Sequence, residues 1–113
     1  MDLSTDVKND VLFVTVEESR IDAAGALEFK EDMRKLAADA PPRVVLDLGK
    51  VTFLDSSGLG ALVAVLKLMA PEAKLELAQL GGAVAQVMKL TRMDKVFTIH
   101  PTSDAALAST SAI

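Results

Sequence analysis

The chain contains no cysteine, no tryptophan and no tyrosine, and a single histidine among its 113 residues. Without cysteine there can be no disulfide, no thiolate metal site and no cysteine nucleophile. His100 alone is too few nitrogen ligands for zinc, so its default role is a surface or capping contact. The four phenylalanines are the only carbocyclic aromatic rings, which argues against a sugar or nucleobase stacking site. Positive charge is not in excess either: 12 Lys and Arg stand against 16 Asp and Glu, a net charge of −4, and nothing here draws a phosphate backbone. Long apolar runs are missing too. The longest, Gly58 to Leu66, falls far short of a bilayer span. The opening Met1-Asp2-Leu3-Ser4-Thr5-Asp6 is acidic and polar, unlike a signal peptide. These absences lead us to expect a cytoplasmic protein with no metal or cofactor, no nucleic-acid partner and no membrane insertion.

What is present is apolar enough to fold: 50% of residues are hydrophobic and 25% charged. The length suits one domain over residues 1–113, with an Ala/Ser/Thr tail at about 109–113 expected to fray. Leu3 to Lys8 and the β-branched run Val11 to Val16, joined at Asn9-Asp10, read as an N-terminal hairpin. Glu17 to Ile21 reads as a loop, and Asp22 as the N-cap of a helix from Ala23 to Ala40. Within it Ala26, Phe29, Met33, Leu36 and Ala40 recur at steps of three and four, and Pro41-Pro42 ends it. Val44 to Leu48 is a strand apolar enough to be covered on both faces, and Val51 to Leu54 returns the chain to the end of the sheet. A helix from about Ser57 to Met69 is stopped by Pro71. Lys74 to Gln79 alternates as a strand, Ala83 to Thr91 reads as a helix, Val96 to Ile99 as a short strand, and Thr102-Ser103-Asp104 caps a final helix over Ala105 to Ala108. Strands alternating with helices after a hairpin give an α/β fold: a mixed sheet of four or five strands flanked by about four helices.

The least ordinary stretch is Val51-Thr52-Phe53-Leu54-Asp55-Ser56-Ser57-Gly58-Leu59-Gly60, an apolar strand end passing straight into an apolar helix. A helix start has unpaired N–H groups and a partial positive charge. Asp55, Ser56 and Ser57 can each offer an oxygen to those groups, and a phosphate would be held by the same donors. Gly58 and Gly60 remove side chains, so another backbone could approach closely. The plainer reading is that the three polar residues are helix caps and nothing more. The helix that follows carries one charged residue between Gly58 and Ala70, Lys67. Leu59, Leu62, Val63 and Leu66 can face the sheet, leaving Ala61, Val65 and Leu68 partly outside. That pattern fits either a helix covered on both sides or an exposed docking patch.

The run Asp55-Ser56-Ser57-Gly58-Leu59-Gly60, preceded by Val44-Val45-Leu46-Asp47-Leu48 and Phe53-Leu54, resembles the STAS domain of bacterial anti-sigma-factor antagonists. The likeness covers nearly the whole chain, including the closing helix with Val84, Val87 and Leu90. It implies phosphorylation of the first serine, Ser56, by an anti-sigma factor with serine-kinase activity. The unphosphorylated antagonist would bind that kinase and release a sigma factor, and a serine phosphatase would reset the switch. Arg20-Ile21-Asp22 matches the family's acidic position before the first helix, which makes Asp22 a candidate facing the phosphorylation site. With it, Asp55, Ser57, Gly58, Leu59 and Gly60 of the turn, and Val63 and Lys67 of the helix, are the candidate partner-binding residues. Ser19 stands where the family usually has glycine, and Pro71-Glu72 where many members have a glycine-rich turn.

The resemblance implies a binding protein rather than an enzyme, regulating transcription by partner switching. The alternative is a STAS subunit docking on the ATPase of a membrane transport complex. Other chemistries lack their parts. Asp47 has no acidic cluster and lysine around it of response-regulator type. Ser56 and His100 have no Gly-x-Ser-x-Gly elbow, and Gly58-Leu59-Gly60 lacks the third glycine of a dinucleotide loop.

Overall fold

The structure, a computed structural model, describes residues 1–109. Seven strands and four helices follow in the order β1 (Leu3–Lys8), β2 (Val11–Val16), β3 (Arg20–Ile21), α1 (Ala26–Ala37), β4 (Arg43–Asp47), β5 (Phe53–Leu54), α2 (Ser56–Met69), β6 (Lys74–Ala78), α3 (Gly82–Leu90), β7 (Thr98–His100) and α4 (Ser103–Ala108). A 3-10 turn, Met93–Lys95, sits between α3 and β7. The main sheet has five strands in the order β1-β2-β4-β6-β7. The β1–β2 hairpin is antiparallel and the remaining pairs are parallel, so the sheet is mixed. Asn9 and Asp10 both take positive φ, the backbone such a tight hairpin turn requires.

Alternation along the strands divides the sheet's side chains between two faces. Leu12, Val14 and Val16 of β2, Val44 and Leu46 of β4, and Leu75 and Leu77 of β6 join Phe29 and Met33 of α1 and Leu62 and Val65 of α2 in the main core. The opposite face buries Val11, Val45 and Ala78 beneath Ala106 of α4. Strand β4 is thus covered on both sides, as its unbroken apolar run implies. The stripe expected on α1 holds: Phe29 and Met33 are fully buried, and Ala26 and Leu36 pack beside them.

Several elements depart from the sequence reading. Residues 20–21 are a strand rather than loop, and β5 pairs with it in parallel to form a separate ladder of two short strands instead of joining the main sheet. Helix α1 starts at Ala26, because Asp22 first closes a turn: its carbonyl accepts from the Gly25 and Ala26 N–H groups and its Oδ1 from Gly25 N at 3.3 Å. The helix ends at Ala37, before the prolines. On α2 the buried residues are Gly58, Ala61, Leu62, Val65 and Met69, so Ala61 and Val65 face inward where an outward position was expected. The close packing of α2 on α1 accounts for this, since it gives an apolar helix a second buried side. The last strand begins two residues later than expected, the 3-10 turn occupying the segment before it. Ser109 is tied back by hydrogen bonds to Ala106 O and Arg43, and the rest of the tail expected to fray lies outside the described residues.

Beneath α4 lies a polar cluster that the sequence does not announce. Glu76 is buried, 2% exposed, in the middle of β6. Its carboxylate accepts from Arg43 Nε at 2.6 Å and Arg43 Nη2 at 2.7 Å, and lies 2.6 Å from His100 Nε2. Arg43 Nη2 also donates to Ala106 O, which ties the terminal helix to the sheet. The only histidine is therefore an internal partner, not the surface residue expected. Burial pushes the Glu76 carboxyl up, but the hydrogen bonds from Arg43 and His100 outweigh it and hold the group below its ordinary value.

One tight approach sets where α2 begins. A Cβ on Gly58 would stand 2.0 Å from Ile21 O, which is backbone and cannot move aside alone. By contrast, a Cβ on Gly60 would meet nothing within 4 Å. Gly58→Ala is therefore expected to cost about 3 kcal/mol or more, whereas Gly60→Ala gains about 0.5–1 kcal/mol by restricting the unfolded chain, both read from urea midpoints. Glu76 sets an acid limit. A carboxyl with a lowered folded pKa adds stability that is complete above its unfolded value, near 4.5, and is lost as pH falls through the folded value. Glu76→Gln should cost about 3 kcal/mol at neutral pH by leaving Arg43 without its counter-charge. The variant's stability should fall less steeply than wild type below about pH 4.5, as urea titrations across that range will show.

Candidate functional site

Strand β5 ends at Leu54 and α2 begins at Ser56, leaving one residue, Asp55, to make the joint. Asp55 has extended backbone and is the N-cap: its Oδ1 accepts from Gly58 N at 2.8 Å. Its second oxygen reaches across the fold, Oδ2 accepting from Ala23 N at 3.1 Å. The carboxylate thereby bridges the start of α2 and the loop that carries Asp22.

That loop is held from its other side as well. Asp22 Oδ2 accepts from Arg20 Nε at 3.0 Å, while Oδ1 takes Gly25 N. The hydrogen bond from Arg20 is the main reason the Asp22 carboxyl lies below the usual aspartate range. The Arg20 guanidinium stands over the Phe53 ring at 4.2 Å from its centre. Arg20 and Phe53 are also direct partners in the β3–β5 ladder. Asp22 is placed at the site by the sequence reading; Arg20 and Phe53 were not singled out. The signal for Phe53 was available: adjacent strand residues point to opposite sides, so with Leu54 in the core its neighbour must face out.

Ser56 and Ser57 are exposed and occupy the first two positions of α2. Among the described residues neither hydroxyl has a hydrogen-bond partner, because Asp55 already supplies the cap. Their backbone N–H groups lie where an α-helix has no internal acceptor. The result is an open pair of hydroxyls at the positive end of a 14-residue helix, with the Asp22 and Asp55 carboxylates nearby but engaged elsewhere.

The other candidates divide by burial. Gly60 and Lys67 are exposed, and with Ser56, Ala64 and Leu68 they form the outward side of α2. Leu59 and Val63 are half-buried against the core. Gly58 is buried, and the close backbone approach its missing side chain permits is to Ile21 of this same chain, so it offers a partner no surface of its own. His100 lies against Glu76 on the α4 face of the sheet, the side opposite α2, and cannot serve Ser56 as a base. Asp47 acts as a strand-end cap, accepting from Gly49 N at 2.8 Å. Ser19 needs no left-handed backbone, so serine in place of glycine brings no strain there. Among the described residues no helix is long and apolar enough to cross a membrane.

The chain is similar in sequence and in shape to known proteins. RsfB, an anti-sigma-F factor antagonist of Mycobacterium tuberculosis, is 31% identical over 87 residues, 77% of this chain and 71% of its own. The crystal structure of an anti-sigma factor antagonist from Mycobacterium paratuberculosis matches with a TM-score of 0.85 at 31% identity, over 96% of this chain and 92% of that one. SpoIIAA of Bacillus in its phosphorylated form matches with a TM-score of 0.69 over 96% of this chain and 99% of its own; at 12% identity that likeness is one of fold. The family model of the STAS domain matches residues 2–106, and the chain belongs to the STAS domain family.

Proposed function

We propose that this protein is an anti-sigma factor antagonist that works by partner switching and carries out no catalysis itself. In its unphosphorylated form it binds an anti-sigma factor with serine-kinase activity in the cytoplasm and so frees a sigma factor. Phosphorylation of Ser56 by that kinase ends the binding, and a serine phosphatase restores it. One observation carries this reading: Ser56 is exposed at the first position of α2, Asp55 supplies the side-chain cap, and the Ser56 hydroxyl has no hydrogen-bond partner among the described residues. The relatives named above as antagonists, and the phosphorylated form of a protein of the same fold, point the same way.

The physics of the switch is local. A phosphate on Ser56 brings about −1.5 to −2 charges. The helix start favours an anion by about 0.3–1 kcal/mol, and the neighbouring Asp55 and Asp22 carboxylates offset part of that. The fold therefore has little reason to change. The cost falls on a partner that must press a desolvated surface against the dianion, and a coupling of ~3 kcal/mol already changes affinity more than a hundredfold. The other docking contacts in this reading are Asp22, Asp55, Ser57, Leu59, Gly60, Val63 and Lys67.

Incubation with ATP and the purified anti-sigma-factor kinases of the source organism, followed by intact mass, is expected to add one phosphate that Ser56→Ala abolishes; no gain with any of them sinks the reading. Ser56→Asp should weaken kinase binding at least tenfold in calorimetry while its melting temperature stays within about 5 °C of wild type. Asp22→Ala should slow phosphorylation or weaken binding, and unchanged behaviour in both assays would reduce Asp22 to a turn residue.

A further inference from the structure

We propose that Phe53 and Arg20 together form the anchor by which the partner of this site docks, the ring entering an apolar pocket that carries a carboxylate at its rim. The inference deepens the reading given above and takes the identity of the partner, an ATP-dependent serine kinase, from it.

Phe53 is 41% exposed, whereas Phe29 and Phe97 are 0% and 4% exposed and Phe13 is half-buried. Nothing in the core requires a ring here. In the β3–β5 ladder Leu54 takes the inward position, and a small polar residue would serve the outward one. The ring is nevertheless held in place: Arg20 covers one face at 4.2 Å, and Arg20 is itself fixed through Nε to Asp22 at 3.0 Å. Both members of the pair thus meet a partner with much of their side-chain freedom already lost, which reduces the entropy cost of binding. Arginine is among the types that dominate binding energy near the centre of an interface, and phenylalanine is enriched there.

The pair is continuous with the switch. From Phe53 a chain of contacts runs through Arg20 to Asp22, and the next residue, Ala23, donates to Asp55 beside Ser56. Three Cα-to-Cα steps lead from Phe53 to Ser56, so their Cα atoms lie at most about 11 Å apart. A standard interface of about 800 Å² on each partner is a disc about 16 Å in radius. A kinase that covers Ser56 with such a footprint reaches Phe53 as well. The partner's chemistry follows from what remains unmet: one exposed apolar ring, and an Arg20 guanidinium whose terminal nitrogens have no hydrogen-bond acceptor among the described residues.

The test measures binding in the Ser56→Ala chain, where affinity is read without phosphate transfer. The probes are the source organism's purified anti-sigma-factor kinases, assayed by calorimetry. Phe53→Ala is expected to weaken binding at least tenfold, Phe53→Leu to weaken it less than Phe53→Ala, and Arg20→Glu to weaken it at least tenfold in protein that circular dichroism shows to be folded. Arg20→Glu tests the anchor even where Phe53→Ala perturbs folding, because it leaves the apolar residues of β5 in place. Binding by folded Phe53→Ala and Arg20→Glu within twofold of the parent overturns the anchor, while a phosphate gained on wild-type Ser56 keeps the switch. Binding that depends on Phe53 with no phosphate gained supports the anchor and removes the switch. A parent chain that binds none of these kinases overturns both.

Discussion

The Asp55 carboxylate is the contact on which the site depends. Its two oxygens join pieces of chain far apart in sequence, the start of α2 and the loop ahead of α1. Beside it Gly58 lets the helix backbone press against Ile21 O, and the β3–β5 ladder closes the same joint from below. Because Asp55 caps the helix at Gly58 N, neither Ser56 nor Ser57 spends its hydroxyl on a hydrogen bond among the described residues. An aspartate, a glycine and a pair of two-residue strands thus hold the joint, and both serines lie exposed beside it.

The sheet's two faces have different tasks. The face beneath α1, α2 and α3 holds the large apolar core. The other face is thinly covered, by the short helix α4 alone among the described helices, and its centre is polar. Arg43, Glu76 and His100 form a group around the buried Glu76 carboxylate in which every side chain is engaged, and Arg43 extends it to Ala106 O. Such a cluster adds less stability than an apolar core of the same volume, but it is specific about which residues can meet. It tethers α4 to β4, β6 and β7 where too few apolar contacts exist to do so.

Membership of the STAS family and the geometry of the turn bear on different questions. The family likeness runs over residues 2–106 and accounts for the layers and their order. It does not say which side chains of this chain are spare. That follows from the hydrogen bonds: Asp22 is engaged by Arg20, Asp55 is engaged twice, and Ser56 is engaged by nothing among the described residues. The surface around this turn is correspondingly mixed, with an aromatic ring, a guanidinium and the exposed residues of α2.

Periodicity alone determined the elements whose burial is one-sided or complete. The β-branched run Val11–Val16, the apolar strand Arg43–Asp47 and the stripe of Phe29 and Met33 on α1 were legible, because local pattern and global packing agree there. Asp55 before an apolar helix was legible for the same reason, a cap being a contact within one turn. The tertiary structure decided what depends on partners distant in sequence. Strand β3 has two residues, too few to show a period, and exists because β5 lies beside it. Helix α2 carries a single charge, Lys67, too little polarity to mark its outer side, so packing against α1 selects Ala61 and Val65 as buried. Glu76 looked like the solvent side of an alternating strand, yet Arg43 and His100, 33 and 24 residues away, bring it inside. No local pattern encodes a counter-charge supplied by another strand; its position is set only when the sheet assembles.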